Sequence, residues 1–209
     1  MISKFMNLES EKREIIINAA LEEFAQKGYK NASTNEIVKK ANISKGLLFH
    51  YFSNKKKLFL FLYDYSKDVF LNEFYNKMNY DETDIIKRWR QIVTLKIQLV
   101  QKHPVLYDFL IASALDDSME IKQEVENQAK GVLEDSYKRL FNNIDTSRFK
   151  AGMDIKRVLE IIFWVAQGFS NRELDHIKSD PTYRSHIDVN ALVEEFELYL
   201  DLLKDTFYQ

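Results

Sequence analysis

The stretch ISKGLLFHYFSNKKK, residues 43–57, sets Lys45, His50 and the run Lys55–Lys57 among Phe49, Tyr51 and Phe52. The three consecutive lysines stand where a helix is expected to begin, the end whose dipole disfavours cations. An anion docked there would be held by backbone N–H groups and by the lysines together, so the chemistry on offer is phosphate binding. For an isolated run, three solvated lysines on a turn would be the plainer reading. The elements around the run decide between the two.

Placed at 100° steps on a helix over about 45–52, Leu48 and Phe52 share one side, with Lys45 near them. Gly46 and His50 lie opposite, and Phe49 and the Leu47/Tyr51 pair flank the two sides. Leu48 and Phe52 therefore serve a core with Ile37, Val38, Ala41 and Ile43. Gly46 and His50 are left on a face that another body can approach closely. Ser44 is placed to cap this helix. Ser33 and Glu36 of STNE have capping-box spacing and open a short helix through about Ala41. The two helices are joined by NIS, which is helix-turn-helix spacing, and Asn42 suits left-handed backbone in that turn.

Upstream, Ile16, Ala20 and Phe24 mark one face of a helix over 11–27, with Gly28 at the C-cap position. Downstream, Ser53 or Asn54 caps a long helix through about Met78, with Leu58, Leu62, Tyr65 and Val69 as its apolar stripe. Further helices are expected near 82–102, 104–115, 118–142, 154–178 and 188–207, with Pro104 in a first turn and a loop at SDPTYRS around Pro181. No strand-like alternation or repeat is found.

Residues 14–59, EIIINAALEEFAQKGYKNASTNEIVKKANISKGLLFHYFSNKKKLF, resemble the DNA-binding domain of the TetR (tetracycline-repressor) family of bacterial transcription regulators. AALEEFAQKGY, STNEIV and SKGLLFHYFSNKKKLF carry the resemblance, in order and without a gap. It implies that Thr34 bonds a phosphate and that Ser44, Lys45, Gly46 and Leu47 begin a recognition helix entering the major groove. It implies contacts from Phe49, His50 and Tyr51 to backbone and bases, and a further phosphate on Lys55. Leu47 stands where a small polar residue is more usual, Phe49 where tyrosine is common, and Asn42 where glycine is usual. These departures concern the operator sequence rather than the mode of binding.

The composition agrees with a helical, non-catalytic protein. Of 209 residues 45% are hydrophobic and 30% charged, enough for a sizeable core, while five glycines and two prolines leave few turns. Without cysteine there is no disulfide, thiolate zinc site or cysteine nucleophile. Residues 1–57 carry 11 Lys/Arg against 6 Asp/Glu, so a basic N-terminal piece precedes an acidic remainder. No signal peptide, membrane span, P-loop, dinucleotide glycine motif, HExxH or nucleophile elbow is read, and His103, His176 and His186 lack metal-ligand spacing. No catalytic residue, metal or cofactor is expected, and the protein is expected in the cytoplasm.

The expected fold is all-α with about nine helices. A three-helix helix-turn-helix DNA-binding domain, 1–57, precedes a larger helical ligand-binding and dimerisation domain, 58–209. The helices at 154–178 and 188–207 are apolar nearly all round, which requires burial on two sides. Ile161, Val165, Phe169, Leu192, Phe196, Tyr199 and Leu203 are therefore expected at a dimer interface, the four-helix kind that the family resemblance also implies. Trp89, Tyr107, Phe109, Phe141, Phe163, Trp164 and Gln167 are the candidates for an effector pocket, with plain core packing as the alternative for each aromatic. The function expected is a homodimeric transcriptional regulator, a repressor released from a palindromic double-stranded DNA operator by a small-molecule effector. The alternative is a helical ligand-binding protein or enzyme whose basic head meets a partner other than DNA.

Overall fold

The computed structural model describes residues 2–180 and 182–209. Pro181, on which one expected loop was centred, lies outside them. Among the described residues there are ten α-helices, two short 3-10 turns and no strand. They are α1 (Ile2–Met6), α2 (Ser10–Asn31), α3 (Thr34–Lys40), α4 (Lys45–Phe52), α5 (Lys55–Lys77), α6 (Ile85–Lys102), α7 (Pro104–Leu115), α8 (Lys122–Leu140), α9 (Ile155–Ser179) and α10 (Val189–Phe207). The chain forms two compact units: residues 1–73 with 99–132, and residues 74–98 with 133–209.

In the first unit the expected face of α2, Ile16, Ala20 and Phe24, is buried with Ile37, Leu48, Phe52, Leu58, Phe59, Leu62 and Phe109. Val38 and Ile43 pack partly buried against this core. The α2 helix does not stop at Gly28. That residue takes φ 68° and ψ 171°, a region open to glycine alone, and one further turn follows the kink. A Cβ there would also come within 3.2 Å of Asp116 Oδ2, the oxygen that accepts the Tyr29 N–H at 2.5 Å. Glycine is thus required twice over, by its backbone and by its neighbour.

The second unit buries Ile85, Ile86, Trp89, Val158, Ile162, Phe196, Leu200 and Leu203. Its largest fully buried side chain is polar. Arg88 donates from Nε to Glu82 O at 2.9 Å and from Nη1 to Leu140 O and Asn142 O at 2.6 and 2.7 Å. These acceptors include carbonyls at the end of α8 that have no partner within the helix. Four residues earlier, buried Asp84 caps α6 by accepting the Ile86 N–H at 2.9 Å, and it also accepts the Tyr208 hydroxyl at 2.8 Å. An antiparallel bridge pairs Phe149 with Tyr208. No helix among the described residues is long and apolar enough to cross a membrane.

Candidate nucleic-acid interface

The site is built on three caps and one turn. Ser33 Oγ accepts the Glu36 N–H at the start of α3, while the Ser33 N–H donates to Glu23 Oε1 at 2.9 Å, so Glu23 of α2 takes the reciprocal role of a capping box. Asn42 takes φ 49°, the left-handed turn expected of it. Ser44 Oγ accepts the Leu47 N–H at 3.1 Å and opens α4; Asn54 Oδ1 accepts the Lys57 N–H at 2.9 Å and opens α5. The result is a pair of short helices, α3 and α4, joined by a tight turn.

Along α4 the faces separate as the spacing predicts, with one exception. Leu48 and Phe52 are buried, and Ser44, Lys45, Gly46 and His50 are exposed. A Cβ at Gly46 would meet nothing nearer than Ser44 Oγ at 4.0 Å, so the helix offers a bare patch there. Leu47 and Phe49 are half-buried, and Lys45 Nζ stands 5.9 Å from the Phe49 ring centre. Thr34, also half-buried, begins α3. Tyr51 departs from expectation: only 8% exposed, it turns its ring to Phe5 of α1, 5.5 Å between centres. The flank that would have shown Tyr51 to a partner is covered by a helix that the sequence reading did not include.

The lysines at the start of α5 differ from one another. Lys55, expected to hold a phosphate, turns inward. It is half-buried, donates to Lys30 O at 3.1 Å and Ala32 O at 3.0 Å, and its Nζ lies 4.9 Å from the Tyr29 ring. It closes the turn beyond the Gly28 kink. Lys56 pairs with Glu124 at 2.5 Å, and Lys57 is exposed. Tyr29 is fixed from the other side, its hydroxyl donating to Glu120 Oε2 at 2.6 Å. Burial first, and that carboxylate second, push its pKa well above the usual phenol value.

Of the seven residues expected around an effector, Tyr107 and Phe109 belong to the first unit, where Phe109 is fully buried against Phe24 and Phe59 as core, and the other five belong to the second. Trp164, 61% exposed, lies on the surface. In the second unit Trp89, Phe141 and Phe163 do converge, linked by Tyr137, whose ring is 4.5 Å from Phe141 and 5.0 Å from Phe163. Gln167 is half-buried one turn beyond Phe163. Trp89 Nε1 is buried with no hydrogen-bond partner among the described residues. Tyr137 was missed, although its spacing of four from Phe141 was there to be read.

The last two long helices face two ways. Phe196 and Leu203, expected at an interface between subunits, are buried in the unit's own core. Val165, Phe169 and Leu192 are half-buried, and Ile161 and Tyr199 are exposed. The largest outward apolar surface instead comes from Trp164 on α9 and from Leu198 and Leu202 on α10, which are 70% and 63% exposed. A helix apolar all round does not by itself reveal which side its neighbours take.

Residues 16–62 match the family model for bacterial regulatory proteins of the tetR family. The uncharacterized HTH-type transcriptional regulator YuxN of Bacillus subtilis (strain 168) is 32% identical over 126 residues, which span 60% of this chain and 42% of that protein. The chain therefore spans less than half the length of that relative. The fatty acid metabolism regulator protein of the same organism is 27% identical over 158 residues, 71% of this chain and 76% of that protein. The crystal structure of the transcriptional regulator FadR from Bacillus subtilis, in complex with stearoyl-CoA, shares the fold at a TM-score of 0.63 and 20% identity, covering 91% of this chain and 96% of that one.

Proposed function

We infer that this chain, whose residues 16–62 are a TetR-family segment, is a homodimeric transcriptional repressor that leaves its operator when a small molecule binds. The observation that carries this reading is the outer face of α4. Ser44, Lys45, Gly46 and His50 are presented together on a helix whose inner face is locked into a core by Leu48 and Phe52. A rigid helix with a bare glycine and a cation at its N-terminal end is suited to a major groove, with phosphates on either side. In this reading Thr34 bonds phosphate, Leu47 and Phe49 meet apolar groups such as a thymine methyl, and exposed Lys57, rather than Lys55, supplies a phosphate contact at the start of α5. Tyr51, buried against Phe5, makes no direct contact.

DNA contact is assigned to residues 1–57, and effector binding with dimerisation to 58–209. This is a division of function, since the first compact unit also includes 99–132. Trp164, Leu198 and Leu202, with Ile161 and Tyr199, supply the face for a second copy, burying apolar surface that a monomer leaves in water. The Trp89–Tyr137–Phe141–Phe163 cluster, with the unpartnered Trp89 Nε1, is the place for an effector. The relatives make a long-chain acyl-CoA the first compound to try. The regulator acts in the cytoplasm and needs no catalytic group.

Fluorescence anisotropy with a duplex from upstream of the protein's own gene tests the reading. Binding is expected to weaken by orders of magnitude between about 50 and 200 mM salt, and to be reversed by stearoyl-CoA. Lys45→Ala should weaken it about tenfold. Absent or salt-insensitive binding, with acyl-CoA still bound, would favour a helical ligand-binding protein whose basic head meets something other than DNA.

A further inference from the structure

The most completely buried ring near the DNA-facing helix comes from outside the family-matched segment. Phe5, in the five-residue helix α1, is 0% exposed. Its ring lies 4.8 Å from Phe52 and 5.4 Å from Phe61, which are themselves 5.2 Å apart, so α1, α4 and α5 each give one ring to a closed triangle. The same ring lies edge-on to Tyr51 at 5.5 Å, and Tyr51 in turn lies 5.6 Å from the ring of exposed His50. The short helix is tied down by its own turn and by Arg13, whose Nη1 donates to Met6 O at 2.7 Å.

Leu48, which shares the buried side of α4 with Phe52, lies in one core with α2 and α3, the elements of the family-matched segment. Phe5 covers the Tyr51 flank. A helix of two turns held on one side only could roll about its axis. A roll of about 10° carries side-chain tips by about 1 Å, enough to spoil a hydrogen bond or an apolar contact at a base edge.

We propose that Phe5 is a positioning residue for DNA recognition: wedged against Phe52 and Tyr51, it fixes the roll of α4 and so sharpens the choice of sequence. The proposal rests on the regulator reading above. It assigns to a residue outside 16–62 a share of specificity that no base contact of its own provides. Loss of the wedge relaxes discrimination without removing any cation, so affinity for DNA of arbitrary sequence stays as it was.

The test compares the full chain with Phe5→Ala and Phe5→Leu, using the upstream duplex and a scrambled duplex of the same composition across a salt series. Phe5→Ala is expected to lower the ratio of specific to non-specific affinity about tenfold, the scale of one lost base contact, with an unchanged salt slope. Phe5→Leu, which refills most of the volume, should restore most of the ratio. Hydrogen exchange without DNA should quicken over 45–52 and stay slow over 16–24. A head that had merely unfolded in part would lose both affinities by the same factor, and that result overturns the proposal. So does an unchanged ratio while the wild-type chain discriminates. If the wild-type chain itself does not discriminate, the regulator reading falls and takes this inference with it.

Discussion

Both compact units bury aromatic rings, but among the described residues the buried charged groups, Arg88 and Asp84, lie in the second. In residues 1–73 with 99–132, Phe59 packs edge to face on Phe24 and Phe109 with centres 5.1 Å apart, Phe24 lies tilted to Phe109 at 6.2 Å, and Tyr29 lies against Phe59 at 5.4 Å. Each such ring removes apolar area from water worth about 2–3 kcal/mol, with little demand on direction. In residues 74–98 with 133–209 the decisive buried groups are Arg88 and Asp84. Their value lies in geometry, because each carbonyl or N–H they satisfy would otherwise be stranded away from water. The first unit is thus packed by contacts that make little demand on direction, and the second adds contacts that fix it.

Four experiments bear on that contrast. The largest expected effect is from Phe24→Ala, which opens a cavity among the rings and should cost about 3–5 kcal/mol, read by denaturant unfolding with exchange quickening over α2 and α7. Arg88→Met keeps the volume but strands the carbonyls of Glu82, Leu140 and Asn142. It should cost about 3 kcal/mol, with faster exchange confined to the first turn of α6 and the end of α8. Equal quickening in both units for either variant would erase the distinction. Gly28→Ala tests the polar edge of the first unit and should cost about 1–3 kcal/mol. Adding Asp116→Ala relieves the contact with the new Cβ but leaves the positive φ and removes the acceptor of the Tyr29 N–H, so the double variant should be no more stable than Gly28→Ala.

The smallest effect is one the two units share. The Tyr29 hydroxyl is held by Glu120 and the Tyr208 hydroxyl by Asp84, and burial with these carboxylates raises both pKa values above the ordinary 10.0. The folded state therefore keeps protons that the unfolded chain releases. Stability from both groups is complete below pH 10 and falls as pH rises beyond it. Tyr208→Phe should flatten that alkaline decline in chemical-denaturation curves, and Tyr29→Phe should flatten it by a similar amount. A steeper decline in either variant would contradict the raised pKa values of the two hydroxyls.

Periodicity was enough for the long helices and the caps. The span of α7, the Ser33 and Ser44 caps and the left-handed Asn42 could all be read from local chemistry. What could not be read are facts about neighbours. Helix α1 has five residues, too few for a periodic signal, so nothing showed that Phe5 would cover Tyr51. Lys55 has a cation's outward preference, but Tyr29 and the carbonyls of Lys30 and Ala32 draw it in. Phe196 and Leu198 are equally apolar, and only the packing of α10 within its unit decides which is core and which is surface. Spacing likewise could not separate Phe109 from Phe163, because the two lie in different units.

The hydrogen bond between Asp84 and Tyr208 joins residues 124 apart in the chain. As a ribosome delivers the protein from its N-terminal side, every residue of the first unit has been made once position 132 is reached. Asp84 is synthesised long before that point and meets Ile86 and Arg148 first, yet it must wait for position 208 before its last partner exists. A transcript cut short between positions 132 and 208 therefore encodes a complete first unit joined to a second that lacks its last fastening.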